Sequence, residues 1–245
     1  SDVYKRQYLE MMVTKTTKMQ PEEVIQISPL VRRITAGNSS VFTGPGTNTY
    51  LIGNEEITVL DPGPAMESHI DAITSAEGKI KQIVVTHTHP DHSPGVRLLQ
   101  DRLDIPAYGM LTETSKGQDQ SFKPDKILKD GDVFEENEFT LRTVHTPGHA
   151  SNHLCYILEE EEFIFTGDHI MNGSTVVIVP PGGDMTDYIN SLRRLLYYDV
   201  KQIAPGHGDL IPDCRAEGEK LVAHRLGREK QVLAGLKSIS PASLD

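Results

Sequence analysis

Between Thr86 and His92 the chain reads Thr-His-Thr-His-Pro-Asp-His, so four metal-binding side chains, His87, His89, Asp91 and His92, fall within six residues. In an extended segment His87 and His89 point the same way, because side chains alternate with period two, and the pair can grip one ion. If the chain then turns near Pro94, Asp91 and His92 swing toward a second ion. Imidazoles and carboxylates without a thiolate suit a catalytic divalent metal such as Zn²⁺, since structural zinc normally uses cysteines. Three further candidates are His149 in Thr146-Pro147-Gly148-His149, Asp168 in Phe165-Thr166-Gly167-Asp168, and His207 in Ala204-Pro205-Gly206-His207-Gly208. Singly, each reads as an ordinary loop residue. Together with the central cluster they read as ligands.

Such residues need a rigid frame. Short runs rich in β-branched and aromatic residues predict strands at 30–34, 49–52, 57–60, 83–86, 139–144, 154–158, 163–166 and 201–204. Helical patterns cover about 66–76, 95–102, 185–198 and 213–237. In the third, Tyr188, Leu192, Leu195 and Leu196 form one apolar stripe. Strands interleaved with amphipathic helices call for sheets covered by helices. His87, His149, Asp168 and His207 each follow a predicted strand, where a scaffold can aim several ligands at one point. Gly44-Pro45-Gly46 and Pro180-Pro181-Gly182-Gly183 read as loops over that point.

The 245 residues, 37% hydrophobic and 24% charged, suit one soluble domain with a proper core. Residues 1–23 are polar and patternless at the start and are expected to lie outside the fold, as a disordered segment or a remnant of cloning. Residues 24–245 are expected to form a single domain ending in a C-terminal helix. No apolar run is long enough to cross a bilayer, and no apolar stretch of signal-peptide type follows Lys5 and Arg6. Two cysteines, Cys155 and Cys214, make no disulfide framework. These points lead to the expectation of a cytoplasmic protein with no membrane partner. Thirty-five acidic residues against 24 basic ones give a net charge of −11, which disfavours RNA as a partner and favours a small-molecule substrate.

From residue 30 to about 208 the chain resembles the metallo-β-lactamase superfamily, on the strength of the seven candidate ligands in this order. The resemblance implies an α/β (α+β) fold, a four-layer αββα sandwich with two metal ions at one edge. By that resemblance His87, His89 and His149 hold the first ion, Asp91, His92 and His207 the second, and Asp168 bridges them. Asp61, in Leu60-Asp61-Pro62-Gly63, is expected to support the ligand loop without binding metal. His169 is expected to support the site from the pocket mouth, and His145 and His153 to bond to ligands. His69 and His224 read as ordinary helix residues. The expected cofactor is two Zn²⁺, with Mn²⁺ or Fe²⁺ as alternatives.

The expected activity is hydrolysis of an ester, thioester or related small substrate, with Asp91 as the catalytic residue that also binds metal. Within the superfamily the nearest likeness is to the branch of β-lactamase-like protein 2 and its bacterial relatives. It is carried by Gly46-Thr47-Asn48-Thr49-Tyr50-Leu51, by Thr146-Pro147-Gly148-His149 and by His224-Arg225-x-x-Arg228-Glu229. That branch implies an alternative, an endoribonuclease acting on single-stranded RNA, for which Arg193, Arg194, Arg225 and Arg228 are the candidate phosphate contacts. A second likeness, through Thr146-Pro147-Gly148-His149 and Gly167-Asp168, is to the glyoxalase II thioesterases. β-Lactam hydrolysis as a minor activity and an iron-dependent dioxygenase are the remaining alternatives. A dioxygenase of this fold uses three ligands, which the set of seven opposes.

Overall fold

The computed structural model describes residues 19–114 and 116–238. Its elements are β1 (Ile25–Ser28), β2 (Val31–Thr35), β3 (Asn48–Ile52), β4 (Glu56–Leu60), α1 (Glu67–Thr74), β5 (Lys79–Val84), α2 (Gly95–Leu103), β6 (Ala107–Gly109) and β7 (Lys126–Ile127). There follow β8 (Val133–Glu135), β9 (Thr140–His145), β10 (Leu154–Leu158), β11 (Phe163–Gly167), α3 (Met185–Leu195), β12 (Gln202–Pro205) and α4 (Cys214–Ser238). One sheet runs β1 to β7 in chain order, and the other runs β12-β11-β10-β9-β8. The first turns from antiparallel to parallel at β4–β5, while β11 and β12 are the parallel pair of the second.

Strand alternation explains the layering. In β10, Leu154, Tyr156 and Leu158 enter the cluster shared with Tyr50, Leu60 and Val84 of the first sheet. Cys155 and Ile157 enter a different cluster, with Tyr188, Leu192 and Leu195 of α3 and Leu221 of α4. The outer face of the first sheet, with Ile34, Val59 and Ile83, packs against Ile70 and Ile73 of α1 and Val96 and Leu99 of α2. Three apolar seams thus separate four layers, the αββα sandwich. Each fully buried large apolar side chain stabilises such a seam by about 1.5–3 kcal/mol. The polar end of Tyr156 is satisfied too, its hydroxyl donating to the Val85 carbonyl at 2.7 Å.

Parallel pairing brings strand ends together at one edge. Leu60 lies beside Val84, so Asp61 emerges next to Thr86, and Gly167 lies beside Pro205, so Asp168 emerges next to His207. Two backbone bonds stitch the sheets there, Leu154 N–H to Thr86 O at 2.7 Å and Asn48 N–H to Gly206 O at 2.8 Å.

Several details differ from the sequence expectation. β1, β6, β7 and β8 were not foreseen, because they are two to four residues long and too short to show a period. α3 stops at Leu195, where the chain turns through Leu196 instead of continuing to 198. The boundary expected at residue 23 is also displaced. Glu22 N–H donates to Thr35 O at 2.9 Å, and its carboxylate meets His69 Nδ1 at 2.6 Å, so Glu22 belongs to the body of the fold. The expectations for residues 1–18 and 239–245 lie outside the described residues. Among the described residues no helix is long and apolar enough to cross a membrane.

Candidate metal centre

The centre is built on Asp61. Its backbone takes the left-handed conformation, φ 50°, which Asp tolerates better than most side chains. The buried carboxylate accepts from Thr86 N–H and Thr86 Oγ, both at 2.7 Å, and from His92 Nδ1 at 2.9 Å. One side chain therefore fixes both ends of the 86–92 loop. Asp61 is in turn held by Thr49 Oγ, which donates to its carbonyl at 2.6 Å and meets His69 Nε2 at 2.8 Å.

All seven sequence candidates converge. His87, His89, His149 and Asp168 form one group, and Asp91, His92, Asp168 and His207 a second; within each group the ligand atoms lie within 4.8 Å of one another. Asp168 belongs to both. Its Oδ2 is 3.6 Å from His149 Nε2, while its Oδ1 is 3.3 Å from His92 Nε2 and 3.2 Å from His207 Nε2. Asp91 Oδ2 lies 3.3 Å from His207 Nε2 and 3.6 Å from His92 Nε2. Gly206 permits this approach, since a Cβ there would sit 2.8 Å from Asp168 Oδ1 and 2.9 Å from His92 Cε1.

The ring nitrogens show which atoms face the centre. His149 Nδ1–H donates to Val177 O at 2.7 Å, His207 Nδ1–H to Gly46 O at 3.1 Å, and His92 Nδ1–H to Asp61. Thr86 Oγ–H is given to Asp61, so the hydroxyl accepts from His87 Nδ1 at 3.0 Å. Four rings are thereby oriented with Nε2 turned inward, the arrangement in which a distant partner orients a ligating imidazole. His87 Nε2 and His149 Nε2 each lie 2.9 Å from His89 Nδ1, and a single proton on His89 cannot satisfy both contacts well. Among the described residues no partner forms a well-aligned hydrogen bond with the buried His92 Nε2 or Asp168 Oδ1. Buried polar atoms left in this way are costly without a partner, and a divalent cation is the partner this donor set fits.

Electrostatics divides the two groups. Burial, reinforced by neighbouring imidazoles, holds His87 well below its ordinary pKa and lowers His89 to about 4, so both are neutral and ready to ligate. In the second group burial again opposes charge, but Asp91, Asp168 and Asp61 hold His92 above its ordinary value. Against the same burial, Asp168 and Asp91 raise His207 to about 9. Burial likewise works against the Asp168 carboxylate, and His207 and His92 keep it well below the usual carboxylate range. A cation there competes with protons for the same imidazoles.

A cleft of about 250 Å³ opens from the first group. His89 and His149 lie in it between a wall of Val177, Val179, Pro180, Pro181, Gly182 and Gly183 and a second wall of Lys116, Gly117 and Gln118. The second wall is tied to the ligand loop by Asp119 N–H to Thr88 O at 2.6 Å and Ser93 Oγ to Asp119 Oδ2 at 2.8 Å. Both glycine-proline segments noted in the sequence reach the site, one through the cleft wall and the other through Gly46 O.

Some expectations need correction. His169 does not stand at the pocket mouth: it is fully buried, its ring 4.8 Å from the Tyr188 ring, because α3 covers the turn after Asp168. His145 reaches Ser151 O rather than a ligand, and His153 bonds to Thr146 Oγ. His69, read as an ordinary helix residue, is buried between Glu22 and Thr49. Two of the four arginines considered for RNA are engaged elsewhere. Arg194 pairs with Asp130 at 2.7 Å, and Arg225 donates to Val176 O at 2.5 Å; Arg193 and Arg228 remain exposed. Thr86 and Tyr188 carry supporting roles that sequence reasoning missed. Only the position of Thr86, directly before the ligand cluster, signalled anything.

Comparison with known proteins agrees with this geometry. The profile of the metallo-beta-lactamase superfamily matches residues 42–207. An atrochrysone carboxyl ACP thioesterase of Aspergillus chevalieri is 35% identical over 235 residues, covering 93% of this chain and 73% of that protein. A beta-lactamase domain protein from Burkholderia ambifaria superposes with a TM-score of 0.76 at 20% identity, covering 88% of this chain and 80% of that one. The protein TTHA1623, solved in a di-iron-bound form, superposes with a TM-score of 0.60 at 25% identity, covering 74% and 93%. None of these three bears the name of β-lactamase-like protein 2. By fold, by the ordered set of candidate ligands and by relationship, the chain belongs to the metallo-beta-lactamase superfamily.

Proposed function

We propose that the chain is a hydrolase that carries two zinc ions and cleaves small esters and thioesters. The observation that carries this reading is the pair of ligand groups sharing Asp168, with four histidines already set to present Nε2. His87, His89, His149 and one oxygen of Asp168 would hold the first ion; Asp91, His92, His207 and the other oxygen would hold the second. Two divalent ions held there would supply an activated water and Lewis acidity toward the substrate carbonyl. The remaining work falls to the chain. Asp91, the more solvent-open of the two carboxylates, accepts the proton released by the attacking water. Val177, Val179 and Pro180 receive the acyl group and exclude water from it, while His89 and His149 set where the carbonyl comes to rest. A thiolate, whose conjugate acid has a pKa of about 8.5, leaves without prior protonation, so a thioester suits a cleft that offers mostly apolar walls.

The likeness to an ACP thioesterase supports the thioester, and the net charge of −11 with two of the candidate arginines already bonded within the protein supports a small substrate over RNA. The test is a panel of ester, thioester, lactone, phosphodiester, β-lactam and RNA substrates offered to the zinc-loaded protein. Thioester turnover should exceed the rest, and RNA cleavage should be weak and fall steeply with salt. Tight RNA cleavage at physiological salt would overturn the ranking. Metal analysis with an oxygen-uptake assay distinguishes this reading from an iron-dependent dioxygenase.

A further inference from the structure

The segment between β11 and α3 carries a feature that neither the ligand set nor the resemblance accounts for. Along 176–179 the side chains alternate as in a strand. Val176 and Ile178 enter the core beneath α3 and α4, whereas Val177 and Val179, 51% and 61% exposed, line the cleft. In extended backbone consecutive carbonyls also point to opposite sides. The Val177 carbonyl takes the proton of His149 Nδ1 at 2.7 Å, and the Val176 carbonyl takes an N–H of Arg225 at 2.5 Å. Arg225 comes from α4, some fifty residues further along, and no carboxylate pairs with it among the described residues. Its guanidinium carbon lies 5.3 Å from the centroid of the Tyr188 ring. Tyr188 donates to His169 O at 3.0 Å, next to Asp168, and its backbone packs so closely on Gly148 that a Cβ there would lie 2.4 Å from Tyr188 Cα.

We propose that Arg225 is a positioning residue for the metal centre and the acyl cleft. By holding the Val176 carbonyl and the Tyr188 ring it fixes the 176–179 strap, so that the Val177 carbonyl keeps His149 in the tautomer that frees Nε2. The same register keeps Val177 and Val179 on the cleft side. The C-terminal helix is then part of the site's second layer, and its arginine acts on the first ligand group through one peptide unit. This inference rests on the metal-centre reading above.

The test compares Arg225→Gln, which retains one N–H for the Val176 carbonyl, with Arg225→Met, which retains only bulk. Arg228→Ala, one turn along and exposed, serves as the control. Zinc affinity is read by competition with a chromophoric chelator, without substrate, alongside thermal melting and thioester KM and kcat. Arg225→Met should bind the weaker-held equivalent of zinc about ten- to a hundred-fold less tightly, the range for residues that orient ligands from behind. Its KM for a bulky acyl thioester should rise more than for acetyl. Arg225→Gln should recover most of the affinity, and Arg228→Ala should match the unaltered protein. A lower melting temperature in Arg225→Met with unchanged zinc affinity and KM would make Arg225 merely structural and overturn the proposal. If Arg225→Met does not fold, Arg225→Gln and Arg225→Lys decide: a smaller loss of zinc affinity with a raised KM in either would support the proposal, and affinity and KM unchanged in both would overturn it. Failure of the unaltered protein to bind zinc would refute the metal-centre reading, and this inference with it.

Discussion

Replacing Asp61 tests whether one carboxylate both folds the ligand loop and sets a tautomer. Asp61→Ala leaves three buried donors without their acceptor: Thr86 N–H, Thr86 Oγ–H and His92 Nδ1–H. An orphaned buried donor costs about 1–3 kcal/mol, so the loss for three is roughly 3–9 kcal/mol, a large part of the 5–15 kcal/mol typical of a whole domain. In a chain of this size that lowers the melting temperature by roughly 10 °C or more. Asp61→Asn is the sharper probe. Its amide oxygen can still accept from Thr86 N–H, so the fold loses only about 1–2 kcal/mol. Its amide NH₂, however, faces His92 Nδ1, which must now become an acceptor. The ring proton then moves to Nε2, the atom aimed at the second ligand group. Metal affinity should therefore drop by about ten- to a hundred-fold in a protein that still folds. Chemical denaturation in the presence of chelator gives the stability, and zinc competition gives the affinity. An Asp61→Asn protein that binds two equivalents of metal as tightly as the unaltered one would refute the tautomer argument.

Three other outcomes follow from the same geometry. Asp168→Ala should lower metal content and abolish hydrolysis while the far-ultraviolet circular dichroism stays unchanged, because a carboxylate set among the imidazoles of His92, His149 and His207 adds little to the apolar seams; near-normal turnover would deny it the bridging role. Gly206→Ala should cut turnover far more than it lowers the melting temperature, since the added methyl meets Asp168 Oδ1 and His92 Cε1 inside 3 Å. Cys155 is buried, and burial pushes its thiol up to about 12, so it should resist thiol reagents at pH 8 until the protein is unfolded; rapid native labelling would contradict its placement beneath α3.

Much of the site was legible in the sequence, for a physical reason. Ligand chemistry is local: the residue type decides what can bind a cation, and the spacing His-x-His-x-Asp-His decides which side chains an extended loop can aim together. The regular apolar periods of β10 and α3 were legible on the same grounds, since alternation and the helical stripe are properties of a single segment. Other features were written in no single segment. β6 and β7 are too short to carry a period and exist because β5 offers an edge to β6, and β6 in turn to β7. His169 follows Asp168 in sequence and so seemed to share its outlook, yet Tyr188 of α3 covers it. Arg225 read as a candidate phosphate contact and His69 as an ordinary helix residue, and each proves committed to a partner far away along the chain. The inward Nε2 of His149 is decided by a carbonyl 28 residues on, and that of His207 by one 161 residues back. The sequence by itself determined which side chains could hold metal and in what order they arrive. Only the tertiary structure decided which nitrogen of each ring faces inward, because the proton on the other nitrogen goes to whatever acceptor packing places beside it.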